Sequence, residues 1–133
     1  MQDRPSASEL LEAVGAFLRE EVATDLDGRK RFHALVAANT CRIVAREIEL
    51  GPGQLEEEYR ELCRLLERPP SRSGASGDRV RELNFELCKR IDAGWADEEP
   101  RRTRLIEYLE ARVADKLAVN NPKLLDPKPP ERR

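Results

Sequence analysis

At 133 residues the chain has the length of one domain and enough material for a helical core without disulfide or metal staples. Charged residues make up 38% and hydrophobic ones 39%, so a core is affordable only beneath a densely charged surface. The net charge is −2 with both signs interspersed, which argues against the one-signed field of a nucleic-acid binder.

No run of about 18 apolar residues occurs, and "MQDRPSASELLEA" lacks the basic start and apolar stretch of a secretory signal. The expectation is a cytoplasmic protein with no membrane partner. The three cysteines, Cys41, Cys63 and Cys88, lie far apart within helical patterns and are expected to be reduced thiols packed as small apolar groups.

In chain order, "SASELLEAVGAFLREEV" sets Ser6 three residues before Glu9, a capping-box spacing. Leu10, Leu11, Val14, Phe17, Leu18 and Val22 follow as one face, predicting a helix over about 6–23. "TDLDGR" is turn chemistry in which Asp27 can cap a second helix, about 29–50, that "GPG" should stop through a left-handed Gly51 and Pro52. A third helix, "GQLEEEYRELCRLLER", carries Leu55, Tyr59, Leu62, Cys63 and Leu66 on one arc behind an acidic first turn.

"RPPSRSGASGD", residues 68–78, has no apolar period and predicts a mobile surface loop remote from function. A fourth helix over about 78–93 presents Val80, Leu83, Leu87, Cys88 and Ile91, with Asn84 inside that arc. After "DAGWADEEP", Pro100 suits the first turn of a fifth helix whose face is Leu105, Ile106, Leu109, Val113 and Leu117. Asn120 or Asn121 is expected to take the left-handed cap, Pro122 biases Asn121 away from helical dihedrals, and 122–133 is expected to be an extended tail. With no strand pattern and no long repeat, the class is all-α: a single-domain antiparallel bundle of about five helices.

The second helix poses the functional question. On a wheel at ~100° per residue Phe32, Leu35, Val36, Ile43 and Leu50 cluster, Val44 and Ile48 widen the arc, and alanines line the other side. Asn39 lies mid-stripe, Glu47 just off it, and His33 beside the second apolar sector, so all three are candidates for burial and would need partners. Glu21 lies in the stripe of the first helix and Arg46 flanks that of the second. A network among Glu21, Asn39, Arg46, Glu47 and Asn84 follows as one expectation, and a pocket lined by His33, Asn39 and Asn120 or Asn121 as another.

Catalysis is disfavoured. His33 and Glu47 are about 21 Å apart along one helix axis and cannot share a site within a subunit. HExxH, the Glu-x-x-His of di-iron bundles, GxSxG and phosphate-cradling glycine loops are absent, so no catalytic residue, metal or cofactor is assigned. His33 is taken as structural in preference to a base or ligand, and Asn39 and Glu47 as fixing helix register in preference to lining a pocket. Trp95, in a turn, is assigned to packing over the bundle end, with a partner anchor as the alternative.

"FHALVAAN" at 32–39, "REIELGP" at 46–52 and "KLAVNNPKLL" at 116–125, together with the opening "RPSASELLEAVGAFLREE", resemble an uncharacterised family of small bacterial helical proteins. Genes of that family often lie beside aminoglycoside-phosphotransferase-like kinases and acyl-CoA dehydrogenases. The resemblance implies an all-helical fold and an accessory role near such enzymes, and it carries no catalytic residues. The expected function is therefore a non-catalytic interaction protein, a candidate homodimer, with a kinase-like or acyl-CoA dehydrogenase partner. The alternative is a small-molecule-binding domain or minor enzyme with a pocket near His33 and Asn39.

Overall fold

The structure, a computed structural model, describes residues 4–126, and every regular element in them is helical. Helix α1 (Ala7–Phe17) starts at the capping box the sequence announces: the Glu9 amide donates to Ser6 Oγ at 3.3 Å and the Ser6 amide to Glu9 Oε2 at 2.7 Å. It runs into a π-helical turn, Leu18–Val22, closed by the Ala23 amide on the Leu18 carbonyl at 2.9 Å. That turn inserts about one residue into the helical phase. It leaves Glu21 exposed, outside the register that placed it in the apolar stripe.

Helix α2 (Gly28–Leu65) fuses the expected second and third helices, so the described residues hold four α-helices where about five were expected. Gly51 does not enter the left-handed region and Pro52 stays inside the helix. A mid-helix proline costs about 3 kcal/mol in a lost amide and a clash with the preceding turn. The apolar side chains carried in phase beyond it, Tyr59, Leu62, Cys63 and Leu66, are all buried, and each full side-chain burial is worth about 1.5–3 kcal/mol. Helix α2 instead stops at a Schellman arrangement, in which Glu67 takes φ 56° and the Arg68 amide bonds the Cys63 carbonyl at 2.8 Å.

Helices α3 (Gly77–Asp92) and α4 (Arg101–Asn120) follow, the first capped by the Ser76 side chain and the second preceded by Pro100 with no side-chain cap, with a 3-10 turn at Pro122–Leu124. Neither terminal asparagine is left-handed: Asn121 closes α4 at φ −152° and ψ 74°, outside the helical region, as the following proline favours. The tail expected from 122 thus begins as a turn, and residues 127–133 lie outside the described residues. The 68–78 loop is tied down, with the Ser71 amide on the Tyr59 hydroxyl at 2.6 Å and Ala75 against the core.

The chain divides into two compact units, one ending at Gly51 and one beginning at Pro52. The first is a helical hairpin whose dry seam is made of small residues: Ser8 and Gly15 on α1, Ala23, and Ala34, Ala38 and Ala45 on α2. A Cβ on Gly15 would stand 3.2 Å from the Ala38 carbonyl oxygen and 3.4 Å from Cys41 Cβ. The large apolar residues assigned to the core, Leu10, Val14, Phe17, Phe32, Val36, Val44, Ile48 and Leu50, are instead exposed. The second unit holds the larger core, built of Tyr59, Leu62, Cys63, Leu65, Leu66, Val80, Leu87, Leu105 and Tyr108. Here too α4 is rotated from the expected face, with Leu105 and Tyr108 buried while Ile106, Leu109 and Val113 are exposed. Of the cysteines Cys63 is buried, Cys41 half-buried and Cys88 exposed, all as free thiols.

Candidate functional site

The polar side chains that do converge lie in the second unit. Glu58 on α2, Asn84 on α3 and Tyr108 on α4 meet in one knot, where Asn84 Nδ2 donates to Glu58 Oε1 at 2.9 Å. The Tyr108 hydroxyl stands 3.2 Å from that carboxylate oxygen and 3.1 Å from Asn84 Oδ1. One phenolic proton serves one acceptor at a time, so the three groups exchange hydrogen bonds within a closed set. Burial, followed by the Glu58 charge, pushes the Tyr108 phenol well above its ordinary range. It is therefore a hydrogen-bond donor at physiological pH and no base.

One turn along α4, Arg112 extends the knot. Its Nη2 donates to Glu61 Oε2 at 3.0 Å and lies 3.3 Å from Asp115 Oδ2, while the guanidinium sits 5.5 Å from the Tyr108 ring centre. Its side chain is only 12% exposed, and Nε and Nη1 are buried without a partner. Gln54 Nε2 donates to the Asp115 carbonyl at 3.1 Å. Gln54, Glu58, Asn84, Arg112, Asp115 and Lys116 line a cleft of about 330 Å³ whose charges, two acidic and two basic, balance. It holds hydrogen-bonding groups and no nucleophile paired with a base, so its chemistry is recognition and helix registration. At the loop end of α3, the Arg90 and Arg68 guanidiniums hold Glu86 below the usual carboxylate range, at 2.6 and 3.0 Å.

A second feature runs along α4. Ile106, Leu109, Val113, Ala114, Leu117 and the following Leu125 line an open groove of about 400 Å³ that is almost wholly apolar.

The residues singled out from sequence fare differently. Asn84 is in the knot, bonded to Glu58 and Tyr108. His33, Asn39 and Glu47 are exposed, because the hairpin buries the alanine side of α2 and turns the larger stripe outward. His33 accepts from Arg29 Nε at 3.2 Å and meets the Phe32 ring edge-on. Arg46 is half-buried with Nε unpartnered, beside Glu12, Arg19, Glu20 and Arg42. Asn120 and Asn121 are exposed at the end of α4. Trp95 is half-buried against the core, with Arg101 5.7 Å from its ring.

Glu58, Tyr108 and Arg112 were not anticipated. The available signal was the i, i+3, i+7 series Leu105, Tyr108, Arg112, in which a long arginine stem is as buriable as a leucine. Among the described residues no cluster of three or more His, Cys, Asp or Glu is placed to hold a metal, and no helix is long and apolar enough to cross a membrane.

No curated protein and no solved structure matches the chain. A family model described as a domain of unknown function, DUF6285, matches residues 24–124, reaching from the turn before α2 through α4 to the 3-10 turn, and the chain belongs to that family.

Proposed function

We propose that the chain is a non-catalytic helical interaction protein that seats an apolar segment of a partner enzyme in the α4 groove. The observation carrying this reading is that Ile106, Leu109 and Val113, spaced i, i+3 and i+7, stand about half exposed beside Leu125 with almost no polar surface among them. Contiguous apolar surface of this kind marks docking sites, and its spacing suits an amphipathic helix laid along it. The resemblance to small bacterial proteins encoded beside kinase-like enzymes and acyl-CoA dehydrogenases supplies the partner class, and a cytoplasmic setting follows from it. Co-expression of the chain with each of those neighbouring enzymes, followed by size-exclusion chromatography with light scattering, tests the reading. A stable complex lost on Val113→Glu is expected. Separate elution of both candidates, with wild-type chain intact, overturns it.

A second reading, a small-molecule-binding domain, rests on the Arg112 cleft and its unpartnered guanidinium nitrogens. A panel of small carboxylates and phosphates that leaves the melting temperature unmoved would remove it.

A further inference from the structure

The exposed stripe of α2 has the form of a self-pairing seam. Phe32, Val36, Asn39, Ile43, Arg46 and Leu50 are spaced 4-3-4-3-4, the heptad spacing of a two-stranded coiled coil. Phe32 is 62%, Val36 45% and Leu50 39% exposed, and Leu35 and Ile43 are half-buried beside them. The seam that packs α1 onto α2 uses Ala34, Ala38 and Ala45, on the far side of the helix, so the stripe is free within its unit. Arg46 turns toward the α1 flank, where it lines a cleft with Glu12 and Arg42.

We infer that residues 32–50 of α2 pair in parallel with the same residues of a second copy of this chain, with the two Asn39 amides facing each other across the two-fold axis. The charges along the rims select this occupant and this orientation. At ~100° per residue Glu47 lies on one flank of the stripe and Arg42 on the other. Parallel pairing brings the Glu47 flank of each copy against the Arg42 flank of its mate, five residues apart as in the g-to-e' contacts of parallel coils. Antiparallel pairing would set arginine flank against arginine flank.

The Asn39 side chain makes no hydrogen bond among the described residues, although it sits at the centre of an apolar row. With Arg42 at g and Glu47 at e, Asn39 is a d residue, and an amide in the seam costs affinity while favouring the register in which it meets the amide of its mate. The stripe is about 27 Å long and a helix about 10 Å wide, so the facing footprint is roughly 540 Å² over the two copies, below the size of a stable interface and in the class of weak, transient contacts. The dimer is therefore weak, in the micromolar range.

Sedimentation velocity over micromolar to hundreds-of-micromolar protein tests this. Wild type should pass from monomer to dimer across that range. Val36→Glu, at an exposed position that leaves helix content unchanged by circular dichroism, should raise the dissociation constant more than tenfold. Asn39→Leu should lower it about tenfold. Arg42→Glu should weaken pairing and Glu47→Arg in the same chain should restore it. A wild-type monomer at the highest concentration, a dimer indifferent to Val36→Glu, or a charge exchange without rescue would each overturn the proposal. The outcome is separate from that of enzyme docking, since Val36→Glu leaves the α4 groove intact and Val113→Glu leaves the α2 stripe intact.

Discussion

The hydroxyl of Tyr108 lies 3.2 Å from Glu58 Oε1 in the second unit, joining α4 to α2 while Asn84 bonds the same carboxylate oxygen from α3. A half-buried carboxylate held this way is satisfied only as long as both neutral donors stay. Tyr108→Phe removes one and keeps the ring, so it should destabilise by about 1–2 kcal/mol, read as a lower denaturation midpoint at unchanged slope. Combined with Asn84→Ala, the loss should fall short of the sum of the two singles, because both substitutions break one network.

The same contact gives a pH signature. A phenol whose folded pKa is raised binds its proton more tightly folded than unfolded. Its contribution is fully present below the unfolded value of about 10 and declines as pH rises beyond it. The chain has two tyrosines. Ultraviolet titration of the native protein should therefore show Tyr108 failing to ionise through pH 11, with its absorbance change arriving together with alkaline unfolding. A phenol that ionises near its ordinary value in the folded chain would contradict the buried contact.

Arg112 is buried along its stem and paired at one nitrogen, which separates packing from charge. Arg112→Ala loses both and should cost roughly 2–4 kcal/mol, whereas Arg112→Met keeps the stem over Tyr108 and also removes two unsatisfied donors. Urea melts should rank Met well above Ala. Equal losses would mean that the ion pair with Glu61, and not the stem, dominates.

Glu67 adopts φ 56° where α2 ends, a conformation that glycine reaches without a Cβ penalty. Its side chain is exposed. Glu67→Gly should raise stability by about 1 kcal/mol, relief of the left-handed strain exceeding the added chain entropy of the unfolded state. A melting temperature that falls would show the strain to be smaller than that entropy.

Where local chemistry decides, the sequence was informative: Ser6 and Glu9 close their box, and Asn121 obeys Pro122. Where a distant contact decides, it was not. Gly51 and Pro52 carry stop signals that core side chains further along α2 outweigh, since several buried groups together exceed one proline penalty. The faces of α1, α2 and α4 were misjudged for one reason. Periodicity reports where large apolar residues stand, not whether this chain or another molecule covers them, and in the hairpin the close approach of backbones selects glycine and alanine for the seam. Asn84 was legible as a polar residue inside an apolar arc. Glu58 and Arg112 were not, because charged residues on a highly charged chain stand out only once their partners are seen.

The hairpin's dependence on small residues is open to direct test at Gly15. A methyl there would sit 3.2 Å from the Ala38 carbonyl oxygen, inside ordinary contact distance, so Gly15→Ala sets crowding against a gain of up to about 1 kcal/mol in helix propensity and should be near neutral. Gly15→Leu has no such balance. Its side chain must part α1 from α2, costing roughly 1–3 kcal/mol or more by overpacking, while Ala13→Leu on the exposed side of α1 should cost little. Thermal melts of the three variants decide the point. If Gly15→Leu melts with wild type, the hairpin is not held by the close approach of its backbones, and the outward placement of Phe32 and Val36 would lose its structural cause.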